Sequence, residues 1–348
     1  QEARRQRQMC IRDRPFPLFI VFRALGVTSD KDIVQRILYD YENDKDSFEL
    51  LRASLEEASA IQTQDMALLY MANYVSKMPE MKETSETEER YRMRNVADLL
   101  KTELFPHVGQ NPLKKAWFLG MMARKLIHTA LGYKKTDDRD IFINKRVNTS
   151  GALMAELFRN NFNKLVRDIT KAVDSDLRQG RIDEVHTSIL KKIKASTIES
   201  SIRYALGTGT WGMKSQASSS KKGIAQPLGR LSYSQYISHL RRVNAPRSDK
   251  GGKVTEPRKL HSTQWGRFDP SETPDGHTIG ILKNLALQAV ITIGSDESTV
   301  ISVLEEEKVV PILEVKPEQM AKEVCVFIDG NPWGCTNNPD RLVAKLRE

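Results

Sequence analysis

The sequence predicts an α+β chain of several domains, and three observations carry that reading. At 348 residues the chain is too long for one small domain. Apolar residues recur at three- and four-residue steps through much of residues 30–206, which is helical spacing. Beyond residue 206 the composition turns to Gly, Ser, Pro and basic residues, and strand-like runs begin near residue 289. The hydrophobic fraction, 39%, is enough to bury real cores, and no run approaches the eighteen apolar residues of a transmembrane helix.

Taken in order, residues 1–14 are rich in Arg and Gln and lack apolar periodicity. They read as a disordered tail or a non-native stretch and are set aside from the fold. Pro17-Leu18-Phe19-Ile20-Val21-Phe22-Arg23 reads as a buried strand, followed by Gly26 and a helix capped by Ser29 or Asp30. Residues 30–135 are mostly helical, broken by an acidic, Thr/Glu-rich loop at 82–90. Residues 151–170 give the clearest helix, with Leu153, Leu157, Phe158, Phe162, Leu165 and Ile169 on one face. A second helical pattern covers 182–206. The run Ala289-Val290-Ile291-Thr292-Ile293 reads as a strand, and the last stretch alternates strand and short helix without internal repeats.

Cys10, Cys325 and Cys335 are too few and too scattered for a disulfide framework or a zinc site, and a reducing compartment is expected. The charged start Gln1-Glu2-Ala3-Arg4-Arg5 lacks the apolar core and cleavage site of a signal peptide. With no initiator Met, and with an end at Arg347-Glu348, the chain is expected to be a piece of something longer.

The net charge of +9 is concentrated. Between Ser201 and Ser262 twelve Lys and Arg face only Asp249 and Glu256, a net of +10, and residues 1–14 carry +3, so everything else sums to −4. A basic segment on a near-neutral scaffold is the footprint of a polyanion binder; the alternative is a solvated basic loop.

Several superficial motifs fall away. Gly207-Thr208-Gly209-Thr210-Trp211-Gly212 has the spacing of a dinucleotide fingerprint. However, a helical pattern precedes it, Ser218-Ser219-Ser220-Lys221-Lys222 lies downstream, and Arg230 sits near where a ribose-binding acid belongs. Asn148-Thr149-Ser150 is a chance glycosylation sequon. Asp137-Asp138-Arg139-Asp140 reads as capping or ion-paired acids rather than a metal site. The six histidines show neither HExxH nor zinc-ligand spacing, and there is no P-loop and no GxSxG elbow. No autonomous active site is visible.

What remains is an ordered series: Leu240-Arg241-Arg242, the turn Ser248-Asp249-Lys250-Gly251-Gly252-Lys253, Pro257-Arg258-Lys259-Leu260-His261, Gln264-Trp265-Gly266, Pro270-Ser271-Glu272-Thr273-Pro274-Asp275-Gly276 and Gly280-Ile281-Leu282-Lys283-Asn284-Leu285. It resembles the fork region of the second-largest subunit of multisubunit DNA-dependent RNA polymerases, with spellings closer to the eukaryotic, archaeal and large-DNA-virus branch than to bacteria. Val21 to Gly26 resembles the start of that family's lobe. Asp137–Asp140 with Lys145-Arg146-Val147 and Gly151 resembles the return from lobe to protrusion, which accounts for the acids without a metal. Tyr204 to Gly212 and Gly223-Ile224-Ala225-Gln226 resemble the start of the fork.

The resemblance implies a tail at 1–14, a mixed α/β lobe at 15–136, a helical protrusion return segment at 137–205, a fork with loops at 206–290 and the start of a β-rich external domain at 291–348. It implies nucleic-acid contacts from Lys221, Lys222, Gln226, Arg241, Arg242, Arg247, Lys250 and Lys253, in two fork loops at 214–224 and 247–256. Such contacts fit a surface that grips phosphates without reading sequence. Arg258 and Asp275 fall near the active centre in a supporting role. Arg241 or Arg242 could instead be a buried ion-pair partner, and Trp265 is expected in the core. Asp269 stands where the family has Cys, and Asp275 where it has Glu.

The function so implied is to help hold the RNA–DNA hybrid and the downstream edge of the bubble during template-directed RNA synthesis, as one subunit of a nucleotidyltransferase. The partners would be the largest subunit and the other polymerase subunits, the DNA template, the hybrid and nucleoside triphosphates, with no membrane. Mg²⁺ would be held mainly by the largest subunit and none by this stretch, which alone would be inactive. The nucleus is the expected location, or the cytoplasm or a viral factory for an archaeal or viral enzyme. The competing reading is a stand-alone basic nucleic-acid-binding protein without an enzymatic role.

Overall fold

The computed structural model describes residues 8–11, 14–40, 42, 44–74, 88–179, 193–194, 196–211, 222–245, 255–292 and 294–347. It is an α+β chain, and it divides into two compact units, residues 1–137 with 294–348, and residues 138–293.

The first unit opens on an antiparallel pair, β1 (Gln8–Ile11) and β2 (Arg14–Pro17), so part of the segment that lacked periodicity is a strand. Next comes α1 (Leu18–Ala24), where the sequence predicted a strand. All seven residues of α1 are buried. A helix enclosed on every side has no polar face, so its period leaves no trace in the sequence. The helical form also closes the backbone hydrogen bonds internally, with no sheet neighbour required.

Around α1 pack α2 (Asp30–Leu38), α3 (Lys45–Glu57), α4 (Gln64–Tyr74), α5 (Glu88–Thr102) and α6 (Pro112–Ala130). The Ser29 hydroxyl accepts from the Asp32 N–H and caps α2, as the sequence predicts. Residues 88–90 of the expected acidic loop begin α5; residues 82–87 lie outside the described residues.

Two cations are buried in this apolar core. The Arg23 guanidinium donates to the Ala58 carbonyl at 2.6 Å, to the Ile61 carbonyl and to Asp30. Lys115, wholly buried, donates from Nζ to the carbonyls of Leu100 (2.9 Å), Lys101 (2.6 Å) and Leu104 (2.5 Å). The Leu100 and Lys101 carbonyls lie in the last turn of α5 and that of Leu104 just beyond it, where a cation also meets the negative end of the helix dipole. Burial pushes the Lys115 ammonium below its ordinary pKa.

The C-terminal part of this unit is a three-stranded antiparallel sheet in the order β5 (Val310–Pro311), β7 (Asn331–Thr336), β6 (Val324–Ile328), with α10 (Ser298–Glu306), the single turn α11 (Pro317–Met320) and α12 (Pro339–Arg347). Asp329-Gly330, both at positive φ, make the two-residue turn joining β6 to β7.

The second unit contains α7 (Ser150–Arg178), α8 (Ser196–Thr208), α9 (Tyr233–Leu240) and the pair β3 (Arg242–Asn244) and β4 (Leu282–Asn284). α7 contains the predicted helix, with Leu157 and Leu165 buried, while Phe158 and Phe162 lie stacked and exposed. α8 covers the end of the second helical pattern; most of residues 182–195 lie outside the described residues. The strand expected at 289–293 is not one. Residues 289–292 have no strand partner among the described residues, Val290 is 87% exposed, and Ile293 lies outside them. Strand-forming residue types need a neighbouring strand, and among the described residues none is supplied. Among the described residues no helix is long and apolar enough to cross a membrane.

Candidate nucleic-acid interface

In the second unit α7 and α8 pack through Leu157 and Ala205, and Trp211 closes that small core while donating its indole N–H to the Leu153 carbonyl at 2.8 Å. Gly209 stands at φ +69°, with the Ala225 carbonyl oxygen 2.5 Å from where a Cβ would be. The Ile224 N–H donates to the Gly209 carbonyl at 3.1 Å. This glycine of the apparent dinucleotide motif therefore seats one backbone against another. A helix precedes it, not the strand a phosphate loop needs.

The platform beyond it is held by side chains that grip carbonyls. β3 and β4 pair with Arg242 opposite Asn284 and Val243 opposite Lys283. Lys283 is buried and donates from Nζ to the carbonyls of Pro257 (3.2 Å) and Gly280. Burial, with the repulsion of Lys145, pushes its pKa down. Arg258 donates to the carbonyls of His277 (2.8 Å) and Ile279 (3.0 Å). Gly280, at φ +68°, has the Arg258 carbonyl oxygen only 2.1 Å from a Cβ position, so a side chain would force these two strands of backbone apart. The Asn284 amide donates to the Glu272 carbonyl at 3.1 Å. Asp269 accepts from the N–H of Ser271 at 2.8 Å and of Glu272 at 3.4 Å. Its carboxylate thus closes the turn, a task that a thiol does weakly.

Residues 138–145 lie against this platform. Asp138 Oδ1 accepts from the Asp140 N–H at 2.8 Å, and Oδ2 lies 2.7 Å from His261 Nε2. His261 Nδ1 faces the Thr263 N–H and hydroxyl, which leaves Nε2 as the nitrogen that donates to Asp138. The Asp140 N–H first, and then His261, hold the Asp138 carboxyl below the ordinary Asp range. The Thr263 hydroxyl accepts from the Phe142 N–H at 3.0 Å, and the Phe142 and Phe268 rings meet at 5.0 Å. Asp140 pairs with Lys145 at 3.7 Å, and in the other unit Asp137 pairs with Lys125 at 2.5 Å. Each acid of the Asp137–Asp140 cluster therefore has its own partner.

Two family models match the chain: RNA polymerase Rpb2, domain 2, over residues 3–148, and RNA polymerase Rpb2, domain 3, over residues 226–291. The chain is 39% identical over 334 residues to DNA-directed RNA polymerase II subunit RPB2 of Encephalitozoon cuniculi, and 40% identical over 334 residues to DNA-directed RNA polymerase II subunit 2 of Arabidopsis thaliana. It is 33% identical over 344 residues to DNA-directed RNA polymerase subunit Rpo2 of the archaeon Saccharolobus shibatae. The chain belongs to the family of second-largest RNA polymerase subunits. Each alignment covers 95% of the chain but only 27–28% of the relative, so the chain spans little more than a quarter of their length.

The residues that the polymerase resemblance singled out divide into three groups. Lys222, Gln226, Arg242 and Asp275 are exposed. The Gln226 amide is oriented by the Gly223 carbonyl at 3.0 Å and by His239 Nε2 at 3.3 Å, whose Nδ1 accepts from the Gly229 N–H at 3.0 Å. His239 is a contributor that sequence reasoning missed, because its partners Gly229 and Gln226 lie ten and thirteen residues away with no spacing signature. Asp275 makes no cap hydrogen bond to the turn it begins. The half-buried Arg241 and Arg258 form the second group. Arg241 donates to the carbonyls of Ala286 (2.6 Å) and Leu287 (3.2 Å), so the buried ion pair considered for it is replaced by carbonyl bonds. Lys221, Arg247, Lys250 and Lys253, and with them most of both fork loops, lie outside the described residues.

Trp265 corrects the sequence reading. It is 82% exposed, because the short turn Ser262–Gln264 points Gln264 inward and leaves Phe268 and Phe142 to fill the platform's apolar space. Leu260 is likewise exposed.

Proposed function

We propose that this chain is a polymerase lobe (15–136), protrusion return segment (137–205), fork (206–290) and start of the external domain (from 291). In this reading it helps hold the RNA–DNA hybrid and the downstream bubble edge while RNA is made on a DNA template. Likeness to RPB2 and Rpo2 subunits along 95% of the chain carries this reading, and it favours a polymerase subunit over a stand-alone nucleic-acid-binding protein. The partners are then the largest subunit, the remaining subunits, template DNA, the hybrid and nucleoside triphosphates, and the nucleus is the location that the polymerase II relatives imply.

Lys222, Gln226 and Arg242 meet phosphate or RNA from an exposed surface, together with Lys221, Arg247, Lys250 and Lys253 of the two loops. Arg241, Arg258 and Lys283 act behind them by fixing the backbone that carries those contacts. Asp275 supports the active centre. Among the described residues no group of three or more His, Cys, Asp or Glu is placed to hold a metal ion. This reading assigns the catalytic Mg²⁺ to the largest subunit.

The test is binding of the full chain to a bubble carrying an RNA–DNA hybrid, followed by fluorescence anisotropy across a salt series. With roughly six phosphate contacts, affinity should fall about a thousandfold between about 50 and 200 mM salt. Replacing Arg247, Lys250 and Lys253 with Ala should lower the salt slope by about one per lost contact and leave base preference unchanged. Salt-insensitive binding, or nucleotide addition by the chain alone, would overturn the reading.

A further inference from the structure

Cys325 and Cys335 stand directly opposite each other on β6 and β7, with their sulfurs 3.5 Å apart. Both are free thiols. Cys335 is wholly buried among Tyr39, Trp117, Ile312, Val315 and Met320, and Cys325 lies half-buried at the margin of that cluster. An S–S bond is about 2 Å long, so the two sulfurs need only a small rotation about their side-chain bonds to join. We propose that Cys325 and Cys335 are a peroxide-reactive dithiol, with Cys325 the attacking thiol and Cys335 the resolving one.

Access assigns the roles, since only Cys325 meets solvent. Hydrogen bonding agrees. The hydrogen bond between the two sulfurs brings the Cys325 thiol down to about 7 and holds Cys335 far above its ordinary range. The Arg124 guanidinium, which sits 4.2 Å over the Tyr39 ring, adds to the drop at Cys325, whereas burial and Glu323 oppose it. A thiolate at neutral pH is the reactive form.

In the first step the Cys325 sulfur attacks hydrogen peroxide. An S–O bond forms, the O–O bond breaks, and the departing hydroxide takes up a proton as water. In the second step the Cys335 sulfur attacks Cys325, the S–S bond forms, and the S–O bond breaks. The leaving hydroxide takes the Cys335 proton as a second water. The protein loses two electrons and two protons, and peroxide is reduced to two waters. Once Cys325 is a neutral sulfenic acid, the negative charge that held the Cys335 proton is gone. The product ties β6 to β7 beneath Tyr39 and Trp117.

The test treats the full chain with hydrogen peroxide and digests it with trypsin without reduction. Both cysteines fall on one peptide, Glu323–Arg341. That peptide should lose two hydrogens, resist iodoacetamide and recover both thiols with dithiothreitol. The Cys335→Ser chain should stop at a sulfenic acid that a dimedone-type nucleophile captures. Should that variant fail to fold, the unaltered chain still decides: alkylation of Cys325 should be half-maximal near pH 7, not near the ordinary thiol value of about 8.5. Persistence of two alkylatable thiols after peroxide, over-oxidation of Cys325 with Cys335 left free, or an ordinary alkylation profile would each overturn the proposal.

Discussion

In the first unit Phe19, Val21 and Phe22 of α1 and Ile33 and Ile37 of α2 are wholly out of water in one core cluster, whereas the buried apolar residues of the second unit are Leu157, Leu165, Ala205, Trp211, Phe268 and Ile281 among those described. The second unit is held where Arg241, Arg258, Lys283 and Asn284 reach backbone carbonyls. A segment rich in Gly, Ser, Pro and basic residues has few side chains to hide, so its shape must come from directed bonds. The difference also separates two uses of positive charge. Arg258 and Lys283 build the scaffold, whereas Arg242 and Lys222 are exposed, as the proposed phosphate contacts require.

The largest effect that sharpens this contrast belongs to the first unit. Phe22→Ala removes a fully buried ring from the centre of α1 and should cost about 3–5 kcal/mol. Urea unfolding followed by helix circular dichroism measures it. A loss below about 1 kcal/mol would show that apolar burial is not what holds this unit.

A smaller effect tests the second unit through its backbone. Gly276 and Gly280 both stand at positive φ, but a Cβ at Gly276 meets nothing within 4 Å, while one at Gly280 meets the Arg258 carbonyl. Gly276→Ala should cost only the conformational penalty, about 1–2 kcal/mol. Gly280→Ala should cost more, because the carbonyl and the Arg258 bonds to residues 277 and 279 must shift with it. Hydrogen exchange across residues 256–284 reads the difference, and equal effects would break the idea of a directed scaffold.

How much of this was legible in the sequence follows from the same contrast. The amphipathic helix at 151–170 was readable because one face is wet, and the Ser29 cap because its bond is local. The family resemblance at 240–285 was readable because its turns need particular residues in order. α1 was not, since a helix buried all round carries no period. Nor were the roles of Arg23, Lys115 and Lys283, whose partners are carbonyls that any residue supplies. Asp138 and His261 were each visible, yet nothing in the spacing joined them across 123 positions.

That pair gives a pH test of the second unit. The folded Asp138 pKa is lowered, so the unfolded chain binds more protons between the folded and ordinary values. The contribution is complete above the ordinary Asp value of about 3.9 and is lost as pH falls through the lowered one. Asp138→Asn keeps an oxygen for the Asp140 N–H and removes the charge. It should flatten the acid limb of unfolding followed by Trp211 fluorescence, whereas Asp137→Asn, which touches the Lys125 pair, should flatten that limb in the first unit. An unchanged acid limb in Asp138→Asn would show that the link from residue 138 to the platform adds nothing.

The smallest expected effect concerns Trp265. A large apolar ring invites a core assignment, but here the ring of Trp265 is 82% exposed and its neighbour Gln264 takes the inward position. Trp265→Ala should therefore change stability by no more than about 0.5 kcal/mol. Trp211→Ala, which empties a buried site and frees the Leu153 carbonyl, should cost about 3–5 kcal/mol. If the two variants unfold at the same urea concentration, Trp265 is packed in solution and the platform has an apolar core after all. If they separate as expected, the exposed indole is a surface feature of the second unit, and under the proposed function its removal should show in assembly with the other polymerase subunits rather than in folding. Co-purification of the Trp265→Ala chain with those subunits, compared with its own unfolding midpoint, divides the two.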